Sequence, residues 1–229
     1  HVEKPQAPLE RHEGNGVAVA QHEPVCSLLL PRGRVVLAAV GDAMAARAAE
    51  LGMPALGLTD HGVMNGSVEL FQACGKHGVK PIMGLEAYLV DDIEEIKQKT
   101  KWERNHLTLL AANETGFKNL VKLSSAGFLE GFARGKANVD PRLLERYSEG
   151  VIALTGCLAS RFCRRLVEDR PDDARAHVDD LLQIFGGENV YFELQVNGIP
   201  EQDKANEGIA RVARELGKLD SKVVQLVEY

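Results

Sequence analysis

Aromatic residues are scarce in this sequence. They make up 5% of its 229 residues, and only one of them is a tryptophan. Cysteine is rare too, with four residues, and no two of them form a C-x-x-C pair. That number and spacing exclude the disulfide framework of small secreted domains. They favour a reduced protein, and we expect a cytoplasmic one.

Long apolar runs are also missing. No stretch approaches the roughly 20 apolar residues that a membrane-spanning helix needs. Residues 1–23 do not show a charged segment followed by an apolar one, which is the pattern of a secretory signal. The sequence therefore predicts neither a membrane span nor a membrane partner.

Basic residues are fewer than acidic ones, 27 against 33. The formal net charge is −6, with a pI of about 5.7. A domain that holds duplex DNA by its own surface is usually basic. Any contact with nucleic acid is therefore predicted to be local, assisted by a metal, or made by another part of a larger protein.

What the sequence does contain is a regular alternation of short apolar strands and amphipathic helices, which predicts an α/β fold. Strands are predicted at 54–58, 79–90, 106–111, 151–155, 190–194 and 222–227, and helices at 43–51, 67–77, 115–128, 141–147, 157–169, 171–185 and 201–216. The strands are continuous apolar runs, which indicates burial on both faces and crossover helices. We therefore expect a parallel sheet or barrel. Between two of these strands, 91–104 is predicted to be a charged loop with a solvated helix.

Polar residues stand at or near the ends of these strands. Asp60 and His61 follow PALGL, Glu86 lies within VKPIMGLEAYLV, and Cys157 follows VIALTG. In a parallel barrel, catalytic groups gather at the carboxyl ends of the strands. His106 departs from this pattern, because it opens the strand HLTLLA rather than closing it.

Imidazole, carboxylate and thiolate groups are good ligands for zinc-like or manganese-like ions. A bound metal activates water and polarises a phosphoryl oxygen, which is the chemistry of phosphoester hydrolysis. Each residue also has a structural interpretation. His61 could cap a turn, Glu86 could form a buried ion pair, His106 could be a hydrogen-bonded structural residue, and Cys157 could be a small core residue. Spacing alone leaves both interpretations open.

Four stretches of the sequence match a known family. They are "ELGMPALGLTDHGVMNGSVELFQACGKHGVKPIMGLEAYLV", "NHLTLLAANETGFKNLVKLSSAGFLEG", "SEGVIALTGCLAS" and "YFELQ" with "NGIPEQDKANEGIARVARELG". Together they resemble the polymerase-and-histidinol-phosphatase (PHP) domain of bacterial DNA polymerase III catalytic subunits, over about residues 43–217. The resemblance implies a distorted (β/α)7 barrel with a cluster of divalent metal ions. The metal ligands that it carries over are His61, Glu86, His106 and Cys157. It also implies a catalytic role for Asp60 and His61, with Asp60 orienting the site.

The ends of the chain depart from that family. The HxH motif of the first strand and the late DxH motif are absent, and Leu30 stands where the family has an aspartate. His22 and Asp220 are weak substitutes, so five of the family's nine ligands are missing. The first and last strands are therefore expected to be incomplete. We predict a divergent, poorly ordered segment at 1–34, a barrel domain at 35–217 and a divergent tail at 218–229.

The resemblance implies a part in DNA replication, within a protein that is a DNA-directed DNA polymerase (a nucleotidyltransferase) in its full length. The domain itself would carry a metal-dependent 3′–5′ exonuclease or phosphoesterase site, degraded here and using zinc or manganese. The implied partners are the 3′ end of DNA and other subunits of the polymerase III holoenzyme. Two alternatives remain open: a non-catalytic scaffold module, and a stand-alone phosphoesterase similar to histidinol phosphatase. The polymerase core is absent, so this chain is not expected to extend DNA.

Overall fold

The computed structural model describes residues 18–20, 35–217 and 222–227. The strands are β1 (Ala18–Ala20), β2 (Ala55–His61), β3 (Lys80–Leu89), β4 (Asn105–Ala111), β5 (Phe132–Ala133), β6 (Lys136–Val139), β7 (Val151–Leu154), β8 (Val190–Val196) and β9 (Val223–Val227). The helices are α1 (Val35–Glu50), α2 (Ser67–His77), α3 (Ile93–Gln98), α4 (Glu114–Leu129), α5 (Pro141–Arg146), α6 (Arg161–Val167), α7 (Pro171–Phe185) and α8 (Pro200–Glu215). The fold is mixed α/β, as predicted. No helix in these ranges is both long and apolar enough to cross a bilayer.

The strands form a sheet in the order β1-β2-β3-β4-β7-β8-β9, and the β5–β6 hairpin joins it through a short pairing of β6 with β3. Along this path the strands run parallel, except that β4 is antiparallel to both β3 and β7. The expectation of an all-parallel sheet is therefore wrong at β4. A parallel connection needs a crossover that returns along the whole strand. The connection from β3 to β4 contains one short helix, the six-residue α3, and it re-enters the sheet where β3 ends, since Leu89 pairs with Asn105.

The reversal of β4 brings the start of this strand to the edge where β2, β3 and β7 end. The register pairs His61 with Glu86, and Glu86 in turn with Thr108 of β4. His106 lies two residues before Thr108, so its side chain points to the same face of the sheet as that of Thr108. This explains why His106 departed from the sequence pattern. It opens β4, which runs antiparallel to its neighbours, so the start of β4 lies beside the ends of β3 and β7.

The two faces of the central strands differ in polarity. Leu85 and Ala87 of β3 and Leu107 and Leu109 of β4 are buried in one apolar cluster, which also contains Leu120 and Leu123 of α4. Burying each leucine contributes about 1.5–3 kcal/mol. The alternate residues, among them Glu86, His106 and Thr108, point to the opposite face. Two further apolar clusters involve α6, α7 and α8 on one side of the molecule and α1 and α2 on another.

Two helices differ from the sequence prediction in ways that matter for the site. Helix α6 begins at Arg161 rather than at 157, because Ser160 caps it by accepting a hydrogen bond from Cys163 N. Residue 157 therefore lies in a turn. Helix α3 is not simply solvated, since Ile93 and Ile96 are buried in the core. Helix α4 is capped by Asn113, whose side chain accepts a hydrogen bond from Gly116 N.

The ends of the sheet are β1 and β9, and no ladder of hydrogen bonds joins these two strands within the described residues. The closed barrel implied by the resemblance therefore stays a prediction. Both strands lie outside the predicted domain 35–217, yet they pair with β2 and β8 respectively. His22, Leu30 and Asp220 fall outside the residues that the structure describes, so their predicted roles, like the domain boundaries, stay predictions.

Candidate metal centre

The turn after β2 places the first two candidate residues. Gly62 follows His61 with φ of +72°, and a Cβ atom at this glycine would lie 3.1 Å from the ring of Tyr88. Only glycine suits both the left-handed backbone and the close ring. Asp60 accepts a hydrogen bond from Gly66 N at 2.8 Å, which fixes the loop that leads into α2. Its carboxylate thus holds the loop that follows His61.

Glu86 occupies the centre of the site and is fully buried on β3. Its Oε2 accepts a hydrogen bond of 2.9 Å from Thr108 Oγ1. Its Oε1 accepts no hydrogen bond from the described residues and lies 3.5 Å from His106 Nδ1. No lysine or arginine in the described part of the chain forms an ion pair with it, so the interpretation as a buried ion pair with a strongly basic partner is not supported. A buried oxygen without a donor is costly and calls for a partner.

Cys157 reaches the site from the turn between β7 and α6. Gly156, with φ of +81°, and the cap at Ser160 shape this turn. The Cys157 sulfur lies 3.6 Å from His106 Nδ1. One ligand atom from each of Glu86, His106 and Cys157 can be chosen so that all three lie within 4.8 Å of one another. Three residues far apart in sequence therefore converge on one small volume.

His61 lies beside these three residues, but it is not part of the group whose ligand atoms lie within 4.8 Å of one another. Its ring centroid is 4.8 Å from that of His106, in an edge-to-face arrangement, and 6.0 Å from that of Tyr88. The structure thus brings together three of the four predicted ligands and places His61 against one of them. Asp60, next to His61 near the end of β2, holds the loop that follows. The side chains of the four predicted ligands therefore lie close together at one end of the central strands.

Burial sets the protonation of the three converging groups. It raises the pKa of Glu86 to about 8, with help from the negative charge of Glu193. It lowers the pKa of His106 to about 4, with help from the positive charges of His61, Arg164 and Lys136. The 3.5 Å contact between Glu86 and His106 would suit an ion pair, yet both shifts favour the neutral forms. Because both groups are largely removed from water, burial decides, and the contact is neutral at pH 7.

The thiol behaves in the same way. Burial, followed by the negative charge of Glu86, raises the pKa of Cys157 to about 12. Without a cation the three groups are therefore a carboxylic acid, a neutral imidazole and a thiol at neutral pH. A divalent cation reverses this preference, because it stabilises a carboxylate and a thiolate.

The donor set fits a divalent metal. Carboxylate oxygen, imidazole nitrogen and thiolate sulfur are all zinc ligands, and three protein ligands with a fourth position open is the usual composition of a catalytic zinc site. The orphaned Oε1 of Glu86 supports the same conclusion, since a cation would satisfy it.

Sequence reasoning missed one further carboxylate. Glu193 is fully buried on β8, where its Oε1 accepts a hydrogen bond of 2.7 Å from Gln195 Nε2. Its charge raises the pKa of both Glu86 and Cys157, so it lies close to the site. The signal was present in VYFELQV, where a carboxylate interrupts an apolar strand as Glu86 does.

Comparison with known proteins agrees with this geometry. Residues 39–197 match the family described as the PHP domain. The DNA polymerase III alpha subunit of Thermus aquaticus is 40% identical over 167 residues, which cover 72% of this chain and 14% of that protein. The same subunit of Saccharopolyspora erythraea is 38% identical over 201 residues, which cover 79% of this chain and 17% of that protein. The chain thus spans about one sixth of the length of these relatives.

Likeness to solved structures is weaker. An amidohydrolase from Chromobacterium violaceum has a TM-score of 0.44 at 14% identity, and the match covers 88% of this chain and 84% of that one. This likeness is too remote to bear on function. The family match covers more than half of the chain and contains every element that supplies a candidate ligand, and the chain belongs to the PHP domain family.

Proposed function

We propose that this chain is the PHP domain of a replicative DNA polymerase III alpha subunit, and that it carries a metal-dependent phosphoesterase centre at Glu86, His106 and Cys157. The observation that carries the proposal is the convergence of three different donor atoms from β3, β4 and the turn after β7, all within 4.8 Å. A buried carboxylate oxygen without a hydrogen-bond donor lies among them. Zinc or manganese is the proposed ion.

A bound divalent ion would supply an activated water and polarise a phosphoryl oxygen. The chain's own residues do the rest. Thr108 donates a hydrogen bond to Glu86 and so fixes the orientation of its carboxyl group. His61 stands beside the ligand group, where a ring nitrogen can hold or move a proton for the reacting oxygen. Asp60 keeps the loop that follows His61 in place through Gly66.

The proposed substrate is the 3′ end of DNA, entering as a single strand. The names of the relatives support this choice. The acidic net charge argues only against a grip on duplex DNA by the domain's own surface. The proposed partners are the remaining polymerase III subunits. We place the activity in the cytoplasm, where the free thiols Cys74, Cys157 and Cys163 would remain reduced.

A metal titration coupled to a nuclease assay tests the proposal. The purified chain is titrated with zinc and with manganese, and 3′–5′ shortening of a single-stranded oligonucleotide is followed with each ion. We expect stoichiometric binding and metal-dependent shortening in the wild type. Glu86→Gln and Cys157→Ser should weaken the binding and abolish the shortening. Glu145→Gln, an exposed carboxylate on α5, is the matched control and should behave as the wild type.

The scaffold alternative has one observation in its favour. Within the described residues only three ligand-type side chains gather tightly, fewer than the family's nine ligands. A folded chain that binds neither ion at micromolar concentration would establish the scaffold and end the proposal. Turnover of a small phosphomonoester without shortening of DNA would instead support the histidinol-phosphatase-like alternative.

A further inference from the structure

The β5–β6 hairpin holds a positive charge one aromatic ring away from the candidate metal centre. Lys136 opens β6 and is exposed. Its ammonium donates a hydrogen bond of 2.9 Å to Tyr88 Oη and lies 4.8 Å from the centroid of the Tyr88 ring. A flexible lysine is thereby kept in one place by a partner that is itself buried, being only 6% exposed.

Tyr88 connects this lysine to the candidate ligands. Its ring centroid is 5.5 Å from that of His106 and 6.0 Å from that of His61. Tyr88 lies on β3 two residues after Glu86, so both side chains point to the same face of the sheet. One aromatic ring therefore separates the ammonium group of Lys136 from the two histidines. The charge of Lys136 lowers the pKa of His106, which agrees with this proximity.

The hairpin that carries Lys136 is firmly attached. Its strand β6 pairs with the end of β3, at Tyr88 and Leu89. Asn138 Nδ2 donates hydrogen bonds to three backbone carbonyl groups of the hairpin region, those of Gly131, Ala133 and Lys136. Arg104, from the loop before β4, donates to Asn138 Oδ1 at 2.7 Å and to Ala133 O at 3.1 Å. These bonds satisfy backbone groups and fix the hairpin, whereas the Lys136 side chain remains open to solvent on one side.

The protein as a whole is acidic, with a net charge of −6. An anionic substrate would therefore be repelled unless local positive charge offsets the field at the site. An exposed ammonium group beside a metal centre meets that need, because it can donate to a non-bridging phosphate oxygen in a charge-assisted hydrogen bond. The hairpin is held by Asn138 and Arg104, so Lys136 is not needed to attach it to the sheet.

We propose that Lys136 is the phosphate-binding residue of this site, held by Tyr88 so that its ammonium group takes a non-bridging oxygen of a phosphodiester at the metal centre. The inference rests on the proposed function for its reaction, but the binding itself needs no catalysis. Tyr88 is a positioning residue in this arrangement and acts through Lys136. The ligand class is a single-stranded polynucleotide, whose phosphates are accessible one at a time.

Binding without turnover gives the first test. A fluorescein-labelled oligothymidylate is titrated with the whole chain in EDTA over a range of salt concentrations, and affinity is read from anisotropy. Each phosphate contact contributes about 0.7 to the slope of log affinity against log salt for single strands. We expect Lys136→Ala to reduce this slope by about 0.7, and Lys136→Arg to retain it. Lys122→Ala, which removes an exposed lysine from α4, is the control and should leave the slope unchanged.

Kinetics give the second test. With zinc bound, Lys136→Ala should raise the KM for the oligonucleotide about tenfold to a hundredfold, with zinc content unchanged. Tyr88→Phe, which keeps the ring but loses the hydroxyl group, should raise KM less.

The two tests separate the inference from the proposed function. If the wild type turns over no DNA but the salt slope still falls in Lys136→Ala, the proposed phosphoesterase activity is wrong and the proposed phosphate contact of Lys136 is supported. If the wild type binds no oligonucleotide, or if Lys136→Ala leaves both the salt slope and KM unchanged, the role of Lys136 is wrong.

Discussion

Glu86 is the residue on which the metal centre depends most, because it is fully buried and one of its oxygens has no donor among the described residues. We predict that Glu86→Gln weakens zinc binding by more than about tenfold, since loss of even an indirect supporting group costs that much. The measurement is competition with a chromophoric chelator, with Glu145→Gln as the control. Equal zinc affinity in wild type and Glu86→Gln would remove Glu86 from the ligand set.

Proton release offers a second prediction at the same scale. With pKa values of about 8 and about 12, Glu86 and Cys157 are both protonated at pH 7 and must each lose a proton to become ligands. His106, with a pKa of about 4, is already neutral and releases none. Zinc binding at pH 7 should therefore release about two protons, so that affinity rises steeply with pH. Calorimetry in buffers of different ionisation enthalpy counts them.

The variants make this count residue-specific. Cys157→Ser and Glu86→Gln should each lower the number released by about one. A count near zero in the wild type would mean that both groups are already ionised without metal, contrary to the effect of their burial.

The sequence revealed some of these residues and concealed others, for a physical reason. Glu86 stood out because a carboxylate inside an apolar strand is costly, and Glu193 carried the same signal. Cys157 and His61 did not stand out alone, since free cysteine and turn histidine are ordinary. Lys136 was invisible, because an exposed lysine gains its meaning only from the tyrosine that holds it.

Among the elements, helices with clear end signals were predicted best, whereas α1 begins eight residues before the predicted residue 43. The helix at 67–77 and the one at 171–185 match α2 and α7 to the residue, because amphipathic periodicity, glycine stops and an N-terminal proline all agree there. The β5–β6 hairpin was missed, since strands of two and four residues are too short to show a period. The direction of β4 was missed as well, because strand polarity in a sheet depends on the path of the connection and not on the strand's own sequence.

One element contact can be tested directly. Helix α4 begins against the turn before β7, where a Cβ atom on Gly116 would lie 1.8 Å from Gly150 O. We predict that Gly116→Ala destabilises the fold by about 3 kcal/mol or more, because backbone and not a flexible side chain must move. Urea denaturation measures the change.

Gly75→Ala is the matched control. This glycine lies in α2, and no atom stands within 4 Å of the place that an added methyl group would take. Alanine should therefore stabilise the protein by about 0.5–1 kcal/mol through helix propensity. Equal stability of Gly116→Ala and Gly75→Ala would contradict the close contact between the start of α4 and the backbone of Gly150.

At the scale of the whole molecule, the buried acid makes stability depend on pH. The folded pKa of Glu86, about 8, lies above its ordinary value of 4.5, so the unfolded chain holds fewer protons and stability falls as pH rises between these values. His106 and His177, with pKa values lowered to about 4, act in the opposite direction but only below about pH 6.5. Between about pH 6.5 and 8 the metal-free protein should therefore lose about 1 kcal/mol, because the loss at Glu86 exceeds the remaining gain at the two histidines.

Urea denaturation in EDTA at the two ends of this pH range measures the loss. Glu86→Gln should abolish it, since the amide does not titrate. Excess zinc should reverse its sign, because the metal binds the ionised groups of the folded chain and its affinity rises with pH. A metal-free wild type of equal stability at the two pH values would contradict the shift at Glu86.

The neutrality of the three converging side chains also bears on how the protein matures. Small zinc modules whose ligands form the core cannot fold until the ion arrives. Here the three converging side chains are neutral at pH 7 and the fold has a hydrophobic core of its own. On the proposed function, a newly made chain would therefore reach its final shape first and acquire its ion afterwards. Loading would then be a late and reversible step, which the supply of the ion would control without putting the chain at risk of misfolding.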